Sequence, residues 1–339
     1  MENFLKKCFP GKIVQSEKLA GDGGHRDYFR LQAENSFYVF MSSGKSDPSL
    51  KDFIQIQEVL KKADLPVPSL FHQDLKEGYL ILEDLGDITL EFVLKEKREN
   101  ALALYQKALR DLVKMQAQVP LPSSFPRFGK DFFMEETDIA LQRLEKLVEN
   151  CGGKKVSENA VLNFKKEMEE ICNQLDQLTF VFCHRDFHSK NLMVKNHHPH
   201  WIDFQDAGQG PYCYDLCSLL YDSYVSFSDR EKEDMIKFYF QTLPDPMKQS
   251  IGGIKEIHFL TRLQFLQRGF KACGCFAGFY NDSRRTTHLP YIQPTLKELE
   301  KESLKFQFEG LLGKGFLEYI QSLQERLNLS KLDGYSEKS

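Results

Sequence analysis

Several features that would place the protein in a particular class are scarce or missing. No apolar run approaches the ~18 residues of a membrane-spanning helix, and the opening MENFLKKCFPGK is too short and too polar for a signal peptide. The eight cysteines show no repeated Cys-x-x-Cys spacing. We therefore expect a cytoplasmic protein with reduced thiols and no membrane partner.

Excess positive charge is also missing. Lys and Arg number 45 against 49 Asp and Glu, for a net charge of -4, which gives no electrostatic reason to expect nucleic acid as a partner. A hydrophobic fraction of 41%, with 28 Phe, supplies a large core. At 339 residues the chain is long enough for two lobes that share a cleft, and we expect a monomer.

Short strand-like segments dominate the region before residue 84. The runs KIVQSEKL, YFRLQA and FYVFM are separated by turn-forming stretches, and SLFHQD and GYLILEDL surround a Lys-Glu-Gly turn. Between these sets, residues 49–63 place apolar side chains at near-helical spacing. The pattern predicts a small antiparallel sheet with one helix packed on it.

Long helical patterns replace the strands after Asp87. They cover residues 96–118, 131–149, 157–178, 229–243, 251–272 and 293–328, with strong strand signals only between Phe180 and Phe204. The predicted fold class is α+β. We divide the chain into a β-rich nucleotide-binding lobe (1–83), a hinge (84–88), a mainly helical lobe with the catalytic loop and acceptor site (89–328) and a flexible tail (329–339).

Unusual polar residues are concentrated in the segment VFCHRDFHSKNLMVKNHHPHWIDFQDAG. Its second half has the pattern of a hairpin, NLMV out and HWIDF back, and two equal strands at ~3.3 Å per residue return the chain to its start. Asp203 should therefore face Asn191 and Asp186. Two carboxylates and an amide offer oxygen donors, which suit Mg²⁺ rather than zinc.

Phosphoryl transfer needs a metal held by an Asp and an Asn, and a second Asp that accepts the proton of the attacking hydroxyl. The spacing H-R-D-x-x-x-x-N, followed by I-D-F, matches the kinase catalytic loop and metal-binding Asp. No activation segment ending in A-P-E is recognisable. We predict a small-molecule kinase that uses Mg²⁺ and a nucleoside triphosphate.

Three segments, HRDFHSKNLM, WIDFQDAGQGP and YDLCSLLYD, resemble the aminoglycoside phosphotransferase and choline kinase superfamily, which implies a protein-kinase-like two-lobed fold. Within it, GDGGHRDYFRL, LILEDLGD and RGFKACGCFAGFY resemble the bacterial anomeric kinases that phosphorylate N-acetylmuramate and N-acetylglucosamine at C1. The resemblance spans roughly Leu19 to Ile292. It implies ATP and Mg²⁺, an amino-sugar acceptor, and a sugar 1-phosphate product in cell-wall recycling.

The resemblance also implies roles for individual residues. Asp186 would be the catalytic base, and Asn191 and Asp203 the magnesium ligands. It further implies support of the catalytic loop by His184 and Asp215, contact of the hinge backbone with adenine at Glu83, Asp84 and Leu85, and capping of the phosphates by Gly21, Gly23 and Gly24.

Three further residues are candidates from the sequence itself. Lys190 either contacts a phosphate or faces solvent, and His188 either contacts substrate or fills the loop. Arg268 lies in a cluster of basic residues that suits an anionic sugar.

One pair of residues typical of kinases is missing. The strand FYVFMSS has no Lys for the phosphates, and the following helix has Ile54 about where the partner Glu would lie. Loss of both leaves no orphaned buried charge, unlike loss of one. Arg26, Arg30 or Lys45 could supply the positive charge, and we predict Arg30 because it lies in a strand beside the Gly-rich turn.

Two alternatives stay open. The acceptor could be an aminoglycoside, choline, homoserine or methylthioribose, although residues 251–293 carry more basic than acidic side chains, including Arg262, Arg268 and Lys271, which disfavours a polycationic acceptor. The protein could also be a nucleotide-binding pseudokinase. The missing Lys favours that interpretation, and the intact Asp186, Asn191 and Asp203 argue against it.

Overall fold

The structure is a computed structural model that describes residues 1–12, 14–19, 26–45, 47–121, 123–332 and 334–335. The chain divides into two compact units. The first contains residues 1–120 and 184–207, and the second contains residues 121–183 and the chain from Gly208 onward. The segment with the predicted catalytic residues therefore belongs to the unit with the N-terminal sheet. The lobe bounds that we place from the sequence stay a prediction.

Within the described ranges, the strands form one large sheet and two small ones. Their bounds are β1 Val14–Lys18, β2 Asp27–Ala33, β3 Ser36–Ser42, β4 Leu70–Asp74, β5 Tyr79–Glu83, β6 Phe180–Cys183, β7 Leu192–Lys195, β8 His198–Trp201 and β9 Gly208–Pro211. In the first unit the sheet order is β1-β2-β3-β5-β4, and every neighbouring pair is antiparallel. The predicted N-terminal antiparallel sheet is confirmed.

The helices account for most of the rest of the described chain. Their bounds are α1 Glu2–Cys8, α2 Ser49–Lys62, α3 Leu90–Glu96, α4 Arg98–Gln118, α5 Lys130–Asn150, α6 Glu158–Asp176, α7 Tyr214–Leu220, α8 Asp229–Thr242, α9 Asp245–Ile251, α10 Ile254–Ser283, α11 Ile292–Phe308 and α12 Gly315–Arg326. Within the part of the chain that the structure describes, no helix is long and apolar enough to cross a membrane.

Strand β2 places apolar side chains on one face of the sheet, and Tyr28 and Arg30 on the other. Leu31 and Phe40 share a core with Leu5 and Phe9 from the α1 region, and Phe29 packs at its edge. Because successive side chains of a strand point to opposite faces, residues 28 and 30 of β2 lie on the other face. They share that face with the buried side chains of Met41 and Leu80, so it is β2 that contributes polar groups to it.

Backbone hydrogen bonds connect both strands of the β7–β8 hairpin to the rest of the first unit. The N–H of Val194 donates to the carbonyl of Ile88 at 2.7 Å, and the N–H of Trp201 donates to that of Pro66 at 2.7 Å. Its register pairs Leu192 with Trp201. The predicted hairpin is confirmed, and its open end lies where the polar residues of the motif begin and end.

Glycines permit close packing at two places in the second unit. A Cβ on Gly208 would lie 2.5 Å from the carbonyl oxygen of Pro126, and one on Gly274 would lie 2.4 Å from the Cα and Cβ of Ala140. The first lets β9, whose sequence GQGP does not predict a strand, lie against the chain at Pro126 while it pairs with β6. The second lets α10 approach α5.

The predicted helix over 293–328 is wrong in one respect, because it is two helices. Gly310 has φ +71°, a left-handed conformation that ends α11 before α12 begins. The predicted flexible tail starts with a 3₁₀ turn, Leu329–Lys331, and the side chains of Leu329 and Leu332 are buried.

Candidate active site

The predicted catalytic loop lies between β6 and β7, and left-handed residues occur on both sides of the hairpin. Arg185 has φ +76° before it, and Asp203 has φ +64° after it. Non-glycine residues adopt this region at a free-energy cost of about 1–3 kcal/mol and are concentrated at functional sites. A 3₁₀ turn, Ser189–Asn191, completes the loop.

Asn191 joins the two predicted carboxylate positions. Its Nδ2 donates to the backbone carbonyl of Asp186 at 3.0 Å and lies 3.4 Å from Oδ2 of Asp203. Its own carbonyl accepts from the N–H of Ile202 at 3.0 Å. The hairpin therefore returns the chain as the sequence predicts, and the three residues meet in the first unit.

The carboxylate of Asp203 is in contact with solvent but is largely surrounded by protein atoms. This partial burial raises its pKa, a hydrogen bond from Gln205 opposes the shift, and the nearby charge of Asp186 adds to it. The Gln205 bond runs from Nε2 to Oδ1 at 2.7 Å. Negative charge is thus concentrated at one place in the site.

The donor set at this place fits a magnesium ion. Because Nδ2 of Asn191 is held by the Asp186 carbonyl, the amide oxygen is the atom left for a ligand. Together with the Asp203 carboxylate it offers hard oxygen donors, which Mg²⁺ prefers. Asn191 and Asp203 are the residues that would hold the metal.

A small aromatic core lies beneath the loop. The buried rings of His184 and Phe187 approach Trp201 edge-on, with centroid distances of 6.1 and 5.1 Å. Burial lowers the pKa of His184 to about 4, although the Asp186 charge acts in the opposite direction. His184 is therefore neutral at pH 7, which is compatible with the supporting role predicted for it.

Lys195, which no sequence motif marks, connects the hairpin to the predicted hinge. Its Nζ lies 2.7 Å from Oε1 of Glu83 and donates to the carbonyl of Asp84 at 2.8 Å. The hydroxyl of Ser69 donates to Oε2 of Glu83 at 3.1 Å. A lysine four residues after a predicted metal ligand carried no signal, because its partners lie more than a hundred positions away.

Arg30 lies at the hinge. Its Nε is 2.6 Å from Oδ2 of Asp84, and its Nη2 is 2.9 Å from Oδ1 of Asp87. Hydrogen bonds with Asp87 and Asp84 raise the pKa of the guanidinium. The arginine predicted to bind phosphate thus fixes two carboxylates of the 84–88 segment.

The structure places the other predicted site residues as follows. Gly21, Gly23 and Gly24 lie outside the described residues. His188 and Lys190 lie in the catalytic loop, and Asp215 is fully buried in α7 of the second unit. Arg268 is buried in α10, with its guanidinium 5.9 Å from the ring centre of Tyr214.

Comparison with known proteins identifies the family. A model described as the phosphotransferase enzyme family matches residues 16–249, more than half of the chain. The protein belongs to this family and is a phosphotransferase. The resemblance seen in the central motifs is confirmed.

Relatives that match most of the chain include two kinases of the same name. An N-acetylmuramate/N-acetylglucosamine kinase of Neisseria meningitidis is 26% identical over 314 residues, which cover 90% of this chain and 91% of that protein. A protein of the same name from Pseudomonas putida is 29% identical over 266 residues, covering 76% and 74%.

Solved structures share the fold. The ADP-bound aminoglycoside phosphotransferase APH(2'')-Ib gives a TM-score of 0.59 at 18% identity, covering 87% of this chain and 95% of that chain. The choline kinase LicA from Streptococcus pneumoniae gives 0.60 at 16% identity, covering 89% and 99%. The predicted protein-kinase-like fold is confirmed.

Proposed function

We propose that the protein transfers the γ-phosphoryl group of ATP to the C1 hydroxyl of N-acetylmuramate or N-acetylglucosamine. The observation that carries the reaction type is the meeting of Asp186, Asn191 and Asp203 at the open end of the β7–β8 hairpin. The acceptor is supported by the names of the relatives from Neisseria and Pseudomonas. The nucleotide is supported by the ADP in the aminoglycoside phosphotransferase structure.

In the proposed reaction, Asp186 accepts the proton of the acceptor hydroxyl as its oxygen bonds to the γ-phosphorus. The bond from the γ-phosphorus to the β,γ-bridging oxygen breaks, and ADP leaves with that electron pair. A Mg²⁺ ion held by Asn191 and Asp203 would neutralise phosphate charge. The product is a sugar 1-phosphate.

Adenine is proposed to bind at Leu85. The neighbouring backbone groups are engaged, since the N–H of Glu83 donates to Ser69 and that of Gly86 to Oδ1 of Asp84. The carbonyl of Asp84 accepts from Lys195. No hydrogen bond among the described residues uses the Leu85 backbone, so its N–H and C=O are the hinge groups that the base can pair with.

Arg268 remains the proposed acceptor contact in the second unit. The basic side chains of α10 supply less free charge than their number implies, because Arg262 lies 2.6 Å from Glu302 and 3.4 Å from Glu309. Lys271 lies 3.9 Å from Glu136. The paired basic residues therefore disfavour a polycationic acceptor less than their number indicates, so an acceptor panel includes one.

The test is an acceptor panel with MgATP. N-acetylmuramate and N-acetylglucosamine are compared with choline, an aminoglycoside, homoserine and methylthioribose, and ADP release and phosphorus NMR of the product are measured. We expect an acid-labile anomeric phosphate with the two amino sugars. If only one of the other four compounds were phosphorylated, the proposed amino-sugar acceptor would be wrong and the proposed reaction type would stand.

A second candidate, a nucleotide-binding pseudokinase, is favoured by one observation. The β3 strand, SFYVFMS, has no lysine for the phosphates. The same panel separates the two functions, because a pseudokinase would bind nucleotide by calorimetry and release no ADP with any acceptor.

A further inference from the structure

The lysine and glutamate that usually hold kinase phosphates have no counterparts on β3 and α2. Ile54, at the predicted glutamate position, is buried among apolar side chains of α2. The acidic residues of that helix, Asp52 and Glu58, are exposed. If nucleotide binds here, its polyphosphate needs a cation from another element.

Arg26, directly before β2, is a nearly buried cation with a defined set of contacts. Its side chain is 8% exposed, Nη2 donates to the hydroxyl of Ser49 at 2.8 Å, and Nε lies 3.9 Å from Oδ2 of Asp47. The guanidinium carbon lies 5.8 Å from the ring centre of Phe53. Packing and hydrogen bonds thus hold the group in one orientation.

Asp47 is fixed in turn at the beginning of α2. Its Oδ1 accepts from both the N–H and the hydroxyl of Ser49, at 2.9 and 2.7 Å, and its side chain is 10% exposed. Arg26 and Asp47 therefore form an ion pair between the start of β2 and the start of α2. The usual pair likewise joins a strand of the sheet to this helix.

The Arg26 end of the sheet faces the proposed metal ligand. Phe53 of α2 packs on Phe204, the residue after Asp203, with ring centres 4.8 Å apart. The other contact of Phe53 is with Arg26, whose guanidinium carbon lies 5.8 Å from its ring centre. Phe53 therefore contacts both Arg26 and the residue next to Asp203.

The two arginines are four residues apart, since Arg26 directly precedes β2 and Arg30 is its fourth residue. Tyr28 and Arg30 share one face of the strand because side chains alternate, and four residues span about 13 Å at the usual strand rise. Arg30 lies 2.6 Å from the hinge residue Asp84, whereas Arg26 packs on Phe53, which packs on Phe204 beside Asp203. A nucleotide with its base at the hinge would run along this face toward Arg26.

We propose that Arg26 binds the nucleotide polyphosphate, in place of the missing strand lysine and of Arg30, and that Asp47 positions it. A guanidinium suits this role, because its planar fork pairs with phosphate oxygens through two hydrogen bonds. The inference rests on the nucleotide-binding part of the proposed function and not on the acceptor.

The test compares ligands with and without phosphates. Affinities for adenosine, ADP and MgATP are measured by calorimetry for the full-length wild type and Arg26→Gln. Hydrogen bonds between charged groups predict a loss of about 10- to 100-fold for ADP and MgATP. Adenosine affinity should stay within about twofold, since the base is proposed to bind at the hinge beside Arg30, about 13 Å along the chain from Arg26. Asp47→Asn should show the same selectivity with a smaller loss.

Two control variants sharpen the result. Lys45→Gln removes an exposed cation that lies 3.4 Å from Glu77, and all three affinities should stay unchanged. Arg30→Gln should weaken adenosine and MgATP by the same factor, because it loosens the hinge. Unchanged MgATP affinity in Arg26→Gln, or an equal loss for adenosine, would overturn the proposal.

Folding of the variants is checked by the fluorescence of Trp201, the one tryptophan of the chain. If Arg26→Gln does not fold, Arg26→Lys tests the same role, because it keeps the positive charge and removes the planar guanidinium that pairs with two phosphate oxygens. Its ADP affinity must then fall by more than its adenosine affinity. A protein that binds nucleotide and phosphorylates no amino sugar would contradict the acceptor assignment and leave the Arg26 test intact.

Discussion

The side-chain amide of Asn191 is fixed by the backbone carbonyl of Asp186 across 3.0 Å. This hydrogen bond orients the amide so that its nitrogen faces the loop and its oxygen is left for a cation. It also links the position of the proposed metal ligand to that of the proposed base. A change at Asn191 is therefore expected to affect the loop at Asp186, whereas a side-chain change at Asp186 leaves the bond in place.

Replacement of the proposed base tests the reaction step directly. Asp186→Asn keeps the backbone carbonyl that orients Asn191 but removes the proton acceptor. We expect kcat to fall by about 10²- to 10⁴-fold, the usual contribution of a general base, with nucleotide affinity nearly unchanged. Steady-state ADP release and calorimetry measure the two quantities, and a variant with near-wild-type kcat would remove Asp186 from this role.

The Mg²⁺ concentration that the reaction requires should depend on Asp203 more than on the neighbouring Asp206. Asp203→Asn removes a charged donor, so we expect the Mg²⁺ concentration for half-maximal rate to rise by about tenfold or more, as one lost charge-assisted contact of about 1.4 kcal/mol implies. The matched control is Asp206→Asn, whose carboxylate lies near Asp203 without belonging to the donor set. Chelation with EDTA should abolish turnover of the wild type. Equal shifts in both variants would show that only net charge matters.

The hinge ion pair should contribute to stability. Arg30 and Asp84 have side-chain exposures of 20% and 8%, so Arg30→Ala leaves a nearly buried carboxylate without its guanidinium partner, and we expect a loss of about 2–3 kcal/mol in the free energy of unfolding. Urea unfolding measures it.

A double-mutant cycle isolates this interaction. The variant Arg30→Ala/Asp84→Ala should be less destabilised than the sum of the single variants, because no orphaned charge remains. Asp87→Ala is the comparison, since that carboxylate is 75% exposed and should contribute less than about 1 kcal/mol. Simple additivity for Arg30 and Asp84 would contradict the coupling.

The hairpin and its polar residues could be predicted because the relevant relationships are short. Asn191 and Asp203 are twelve positions apart, and a two-strand return over that distance needs only strand geometry. Helix α2 was predictable for a similar reason, since apolar spacing within fourteen residues fixes its buried face. Local patterns of this kind survive folding because tertiary contacts reinforce them.

Other elements depend on partners far away in the chain. Helix α1 is too short to be stable alone and is held by the sheet core around Leu31 and Phe40. Arg26 and Asp47 lie on either side of two strands, and nothing local distinguishes Arg26 from Arg30 as the phosphate cation. The division of roles between these arginines follows from which carboxylates the fold places beside each.

Protonation of His184 should destabilise the fold at acid pH. Its pKa is about 4 in the folded protein, because of burial, and 6.5 is the ordinary value. Between these values the unfolded chain binds more protons, so stability rises with pH across the window and the contribution is complete above about pH 6.5. At pH 5 the free energy of unfolding should be lower than at pH 7 by about 2 kcal/mol from this residue alone.

The variant His184→Gln is the control, because glutamine cannot be protonated. Its free energy of unfolding should fall by about 2 kcal/mol less than that of the wild type between pH 7 and pH 5, while the carboxylates contribute equally to both proteins. Urea unfolding at pH 5 and pH 7, followed by Trp201 fluorescence, gives the four values, and equal losses in wild type and variant would contradict a neutral, buried His184.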